Sequence, residues 1–215
     1  MKKVFFLIFL SAAMQQLFAQ SVKFGIKAGL NESTVDLGQS TSTTSTIAGI
    51  NAGVFADIEF NRFSIQPGIC YSTNGYKTKT VYNTDNPGPY SFIATGSVTL
   101  NYLEIPVNVH YHIPAGRLNM FFGGGPYLGI GLSGTSQGTY TVNGTTTTAP
   151  TEKLEFGKNG EFNKTDLGLN ALVGISLNNG LLLSVDYGYG IKNIDRGGGA
   201  IKDRVLRLSI GYEFL

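Results

Sequence analysis

Residues 50–60 read Ile50-Asn51-Ala52-Gly53-Val54-Phe55-Ala56-Asp57-Ile58-Glu59-Phe60. Ile50, Ala52, Val54, Ala56, Ile58 and Phe60 share one parity, and Asn51, Gly53, Asp57 and Glu59 share the other. A strand sends alternate side chains to opposite faces, so one face here is oily and the other polar or small. About ten residues is also the length a tilted strand needs to cross a membrane. A sheet of such strands survives in lipid only if it closes on itself. An open edge would leave backbone N–H and C=O groups without partners.

The same alternation recurs after residue 20 and predicts further strands at about 22–31, 63–73, 103–113, 118–131, 166–177, 181–191 and 204–214. In the last of these, Leu206, Leu208, Ile210, Tyr212 and Phe214 oppose Arg207, Ser209, Gly211 and Glu213. Three connections are short: Asn61-Arg62, Pro114-Ala115-Gly116 and Asn178-Asn179-Gly180, the last a good hairpin signal. The links at about 32–49, 74–102, 133–165 and 192–203 are long. Short turns at one end and long loops at the other is the organisation of an outer-membrane barrel. The expected fold is all-β: an eight-stranded antiparallel up-and-down transmembrane β-barrel with short periplasmic turns and four long extracellular loops. Both chain ends then fall on the periplasmic side. On this placement Phe24, Phe60, Phe63, Tyr111, Phe122, Tyr212 and Phe214 share one height near that rim, as an interfacial aromatic girdle does. Strand propensity alone does not account for that clustering by height.

Composition agrees with this class. Of 215 residues only 14% are charged, 29 are glycine, 14 Phe and 11 Tyr. Lys and Arg total 16 against 14 Asp and Glu, so no strong field points to nucleic acid. Cys70 is the only cysteine, which excludes an intrachain disulfide and a Cys-rich metal site. Lys2 and Lys3, the short apolar run Val4–Leu10 and the small residues up to Ala19 read as a secretory signal cut after Ala19. Residues 1–19 are thus the signal and 20–215 the barrel domain. No cysteine near the cut suggests a lipid anchor.

Three prolines oppose the strand pattern. Pro67, Pro106 and Pro126 lie inside expected strands, and a barrel has no free edge to accommodate them. Local bulges are expected there, or positions where the missing N–H pointed away from a partner. Apolar parity also shifts near Tyr102: Val98, Leu100 and Tyr102 are even, while Leu103 onward is odd. A bulge or a strand start at 103 accounts for this. Ser40–Thr46 and Thr145–Thr148 are low-complexity tracts, read as mobile and solvated. Asp85-Asn86-Pro87-Gly88 and Asn143-Gly144 read as hairpin tips, so strands three to six project past the membrane.

Tyr102-Leu103-Glu104-Ile105-Pro106, Gly124-Gly125-Pro126-Tyr127-Leu128-Gly129, and Tyr187-Gly188-Tyr189-Gly190-Ile191 with Asn193-Ile194 occur in this order. In them the chain resembles the PorT-like outer-membrane β-barrel proteins of Bacteroidetes over nearly all of its mature length. The resemblance implies a barrel and assigns no activity. The chain departs from the usual terminal Phe, ending Phe214-Leu215.

By parity the inward face carries Lys23, Lys27, Arg62 and Arg207 together with Asp57, Glu59, Glu104, Asp166, Asp186 and Glu213. An eight-stranded bore is only wide enough for side chains to fill it, and charges enclosed there must pair or stay wet. A structural network of Lys23, Lys27, Asp57, Glu59, Glu104, Asp186, Arg207 and Glu213 is expected, with Glu104 meeting Arg207 or Lys27. His110 and His112 share this face, but no third metal ligand is fixed by the sequence. A set of Ser64, His110 and Asp186 can be assembled only on paper. Gly129 to Gly134 match GxGxxG, but no helix pattern follows. No catalytic, cofactor or metal site is therefore assigned. The expected partners are outer-membrane lipid and an extracellular or periplasmic protein, not nucleic acid. The leading expectation is an outer-membrane module whose surface loops bind or assemble, without turnover. A narrow pore is the alternative. A secreted lipocalin-like barrel is a third reading that would require the apolar face inside.

Overall fold

The computed structural model describes residues 21–38, 43–84, 90–158, 160–197 and 199–214. The expected signal segment, the tip at Asp85–Gly88 and the terminal Leu215 lie outside the described residues. The strands are β1 (Ser21–Asp36), β2 (Thr43–Ser45), β3 (Ile47–Phe60), β4 (Phe63–Thr84), β5 (Tyr90–Ala115), β6 (Leu118–Val142), β7 (Thr145–Thr148), β8 (Glu152–Leu154), β9 (Thr165–Leu177), β10 (Leu181–Gly190) and β11 (Lys202–Phe214). Among the described residues, eight of them pair antiparallel in the ring β1–β3–β4–β5–β6–β9–β10–β11 and back to β1. The sheet has no open edge at membrane height, which is the condition for burying backbone in lipid.

The alternating pattern decides which face turns out. Leu30 is 66% exposed and Leu208 52%, whereas their neighbours Asn31 and Arg207 are 2% and 7%. Apolar side chains therefore form the outer wall and polar ones fill the bore, the reverse of a soluble ligand-carrying barrel. Some aromatic rings break the rule. Phe55, Phe121 and Tyr127 point inward and are buried. Each lies directly across the ladder from a glycine, Gly25, Gly174 and Gly168 respectively. A Cβ on any of these glycines would run into the opposing ring. The inner glycines thus make room for the few large rings of a narrow bore.

The short turns behave as expected. Asn61, Gly116 and Gly180 take φ of 61°, 68° and 89°, a region open to Gly and tolerated by Asn. The β5–β6 turn sits at Gly116-Arg117, so Pro114 and Ala115 still belong to β5. Arg62 belongs to the β3–β4 turn and is exposed, with Nη1 3.5 Å from the Tyr111 hydroxyl; it does not face the lumen.

The prolines are accommodated without bulges. Ladder pairing lapses beside Pro67 between Phe55–Gly68 and Ile58–Ile65. It lapses beside Pro106 between Pro67–Val107 and Cys70–Glu104, and beside Pro126 between Pro106–Tyr127 and Val109–Gly124. In each case the register is the same on both sides of the gap, so the cost is a missing rung, not a slipped strand. The parity shift near Tyr102 has a different origin from the one expected. β5 runs straight through, with Leu100, Tyr102 and Glu104 all buried on the inner side. The irregularity lies on β6, where Asn101 pairs with Ser133 and Tyr102 with Gly131, leaving Leu132 as the extra residue.

Two of the four long links are not loops. β4, β5 and β6 run for 22, 26 and 25 residues. A spanning strand needs only about ten, so these strands carry their sheet on the order of 30 Å beyond the membrane. Thr43–Ser45 pairs with Lys77–Lys79, and Thr145–Thr148 pairs with Thr139–Val142. Within these low-complexity tracts Thr43–Ser45 and Thr145–Thr148 are solvated but ordered as short flanking strands, while Ser40, Thr41 and Ser42 lie outside the described residues. Asn143 and Gly144, with φ of 46° and 85°, make the tight turn between β6 and β7.

Candidate functional site

The lumen is built in layers from the short-turn end upward. At the rim, Lys23 of β1 meets Glu59 of β3 at 2.6 Å, both side chains about a quarter exposed. Above them Asp57 and Ser64 are fully buried. Ser64 Oγ also lies 2.8 Å from His112 Nε2, and Asn119 Nδ2 lies 2.9 Å from His112 Nδ1. With the Asn119 amide donating to Nδ1, the imidazole carries its proton on Nε2 and donates to Ser64. This order is opposite to that of a nucleophilic serine, which must give its proton to the histidine. His110 makes no contact of this kind and stacks on Phe121, ring centroids 5.3 Å apart. Asp186 accepts from the Ser184 hydroxyl at 3.1 Å. Ser64, His110 and Asp186 therefore do not come together as a catalytic set.

At mid-height Arg207 of β11 reaches across the bore to Glu104 of β5, with Nη2 2.8 Å from both carboxylate oxygens. Both side chains are under 10% exposed. A charge pair this deep holds only if its remaining hydrogen-bonding capacity is met. Asn74 Nδ2 supplies Glu104 at 3.2 Å, and Asp186 lies across the ladder from Arg207. From Glu104 a relay runs around the wall. Asn74 Oδ1 accepts from Ser72 Oγ at 3.0 Å, Ser72 Oγ accepts from Asn31 Nδ2 at 3.0 Å, and Asn31 Oδ1 accepts from Asn51 Nδ2 at 2.7 Å. Asn51 Oδ1 accepts from Ser209 Oγ at 3.1 Å. Ser209 and Arg207 both stand on β11, so the relay returns to the strand where the ion pair begins. Lys27 and Cys70 border a small cavity beside this network, with room for about one water molecule. Glu213 is half-buried at the rim end of β11.

The upper lumen changes character. Tyr127 donates to Asp166 at 2.9 Å, and Asp203 is buried nearby on β11. Over them lies an apolar cluster of Leu100, Tyr102, Phe162 and Ile194, backed by Phe156, Leu154, Val98 and Ile201. Leu100 and Ile194 are wholly inaccessible. Phe162 and Ile194 come from the β8–β9 and β10–β11 links, which fold across the mouth. Asn163 N donates to Ile194 O at 2.7 Å, Ile194 N to Ile201 O at 2.9 Å, and Arg196 N to Glu161 O at 3.0 Å. Gly131, the middle glycine of the GxGxxG match, is where the Phe156 ring lodges. Sequence reasoning missed this cover. Its signal was the trio Val98, Leu100 and Tyr102 on the otherwise polar parity.

The rings named for the aromatic band fall in two groups in the register. Phe60 pairs with Phe63, Phe63 with Tyr111 and Tyr111 with Phe122 across four neighbouring strands, and Phe24 pairs with Phe214. Ring centroids are 5.1 Å apart for Phe63–Tyr111, 5.6 Å for Tyr111–Phe122 and 5.6 Å for Tyr212–Phe214. Among the described residues no group of three or more His, Cys, Asp or Glu side chains could hold a metal.

A closed antiparallel barrel with an oily exterior, an ionic interior and a row of rings at one rim defines the class of β-barrel that lives in the outer membrane. The chain belongs to the family of the outer membrane protein beta-barrel domain, whose model matches residues 18–196. It is an outer-membrane protein of a Gram-negative bacterium. Among solved structures, it is similar to Neisserial surface protein A (14% identity, TM-score 0.38, covering 90% of this chain and 99% of that one). It is also similar to OprG from Pseudomonas aeruginosa (14%, 0.38, 91% and 97%) and to Ail of Yersinia pestis (13%, 0.33, 90% and 99%). No curated protein matches the chain.

Proposed function

We propose that this chain is a non-conducting, non-catalytic outer-membrane barrel that works through what it displays outside the cell, as an anchor and a binding or assembly module. The observation that carries this reading is the filled bore. The Glu104–Arg207 pair and the asparagine relay occupy its middle, and the Leu100 cluster closes its extracellular mouth. A pore needs a continuous water path, and eight strands leave little more than the volume of their own side chains. Catalysis finds no support either, since the serine beside a histidine, Ser64, is inaccessible to any substrate.

Planar-bilayer recording of the purified full-length protein tests this reading. Silence at both polarities is expected, and steady unit currents would replace the proposal with transport. Within the outer-membrane barrels, the order of the three tyrosine-bearing motifs supports a PorT-like assignment. The first 19 residues support export through a cleaved signal. N-terminal sequencing of the membrane-extracted protein is expected to begin at Gln20.

A further inference from the structure

Above the membrane, β4, β5 and β6 present a face used neither by lipid nor by the barrel. Even-numbered residues of all three strands continue the lumen side upward beyond the apolar cluster. Three rings line its upper part. Tyr82 lies directly across from Phe92 at a centroid distance of 6.2 Å, and Phe92 stacks on Tyr140 at 6.2 Å and 25°. Tyr82 is 58% and Tyr140 46% exposed, here to water and not to hydrocarbon. Beside Tyr140 opens a groove of about 260 Å³, room for part of a ligand such as a single sugar ring and smaller than a whole drug-sized site. Its floor is a single row across the sheet, Thr78 paired with Gly96 and Gly96 with Gly138. The two glycines leave backbone bare at the bottom. Its wall is the segment Ala149–Glu152, tied down by Ala149 N donating to Gly138 O at 2.8 Å.

Chemistry narrows the occupant. The described lining carries short hydroxyls and the Glu152 carboxylate, and no Lys or Arg, so it complements a neutral ligand and not a sulfated or phosphorylated one. The lining is too polar for an acyl chain. An extended peptide would add to a sheet edge, but β2 and β7 already flank β4 and β6 along this part of the sheet. A pyranose ring offers a flat C–H face and a rim of hydroxyls, which requires an aromatic platform next to short polar groups. We propose that this groove binds a neutral oligosaccharide, one sugar ring stacking on Tyr140 with its hydroxyls bonded to Thr78, Ser136 and Glu152. The proposal rests on the reading of the extracellular surface as a binding surface, and names its ligand class.

The test is calorimetric titration of the full mature protein in detergent with maltohexaose, cellohexaose and mannohexaose, and with a sulfated oligosaccharide as control. Saturable binding of at least one neutral sugar is expected. Tyr140→Ala should weaken it about tenfold, as loss of one ring contact does, and Tyr140→Phe should retain it. Gly138→Val, whose Cβ would stand 3.4 Å from the Tyr140 hydroxyl and fill the floor, should also weaken it. An unchanged heat-dependent gel shift shows that each variant is folded. Binding of no neutral sugar overturns the proposal, as does binding of the sulfated control alone, or neutral-sugar binding indifferent to both Tyr140→Ala and Gly138→Val. Such failure together with a silent bilayer removes the ligand and leaves the anchor reading, whereas currents remove the anchor reading.

Discussion

At the scale of single residues, the pair that spans the bore makes the sharpest prediction. Glu104→Gln leaves the Arg207 guanidinium buried without the carboxylate it bonds, with only Asp186 across the ladder. Breaking a buried pair from one side costs on the order of 3–5 kcal/mol. The urea midpoint in detergent and the temperature at which the compact gel band disappears should both fall. An unchanged midpoint would sink the idea that this pair stabilises the lumen. The double variant Glu104→Gln with Arg207→Met should recover part of the loss, because the buried guanidinium that lost its carboxylate is then gone as well. Parity alone places Glu104 and Arg207 inside, but not opposite each other, since the partner across a barrel depends on strand stagger. The asparagine relay stayed hidden for the same reason: Asn31, Asn51 and Asn74 stand on three different strands. Phe55 and Phe121 break the polar parity. The glycines that receive them, Gly25 and Gly174, become readable as sockets only once the register is known.

At the scale of elements, the cover over the mouth rests on very few side chains. Leu100→Ala removes a fully buried side chain beneath Phe162 and Ile194, a change worth about 2–5 kcal/mol in a packed core. Because the barrel ladders are untouched, limited proteolysis should cut within 155–164 and 191–201 sooner while the barrel fragment survives. Equal protease resistance of both forms would show that the cover does not depend on this cluster. The Asn143–Gly144 turn sits at an exposed tip. A short epitope inserted there should be reached by antibody on intact cells, with no loss of the compact gel band. A tag reached only after lysis would invert the assigned orientation. Strand existence was legible throughout, because alternation against lipid is a strong period-2 signal. Strand ends above the membrane were not. There both faces are polar, and Thr- and Ser-rich sequence reads the same whether paired or loose, as β2 and β7 show.

At the scale of the whole molecule, the sequence pattern and the closed ring agree because one constraint governs both. Hydrocarbon tolerates neither an open edge nor an outward charge. The protein should fractionate with the outer membrane and run faster on gels when unheated than when boiled; recovery as a detergent-free soluble monomer would contradict this. The single supernumerary residue of β6 has a further consequence. Below Leu132 the inner side of β6 is odd-numbered, through Tyr127 and Gly131; above it the inner side is even-numbered, through Gly134 and Tyr140. Leu132 therefore acts as a frameshift in space, letting one continuous strand obey two reading frames, one for lipid and one for water. Deleting it should leave both the lower cylinder and the upper ladder in register, because Gly131, Ser133 and Gly134 then alternate inward and outward without interruption. The Tyr140 ring should keep its side of the sheet, and only the extra local twist contributed by that one residue should relax, so the bulge absorbs an odd residue without setting which way the upper storey faces.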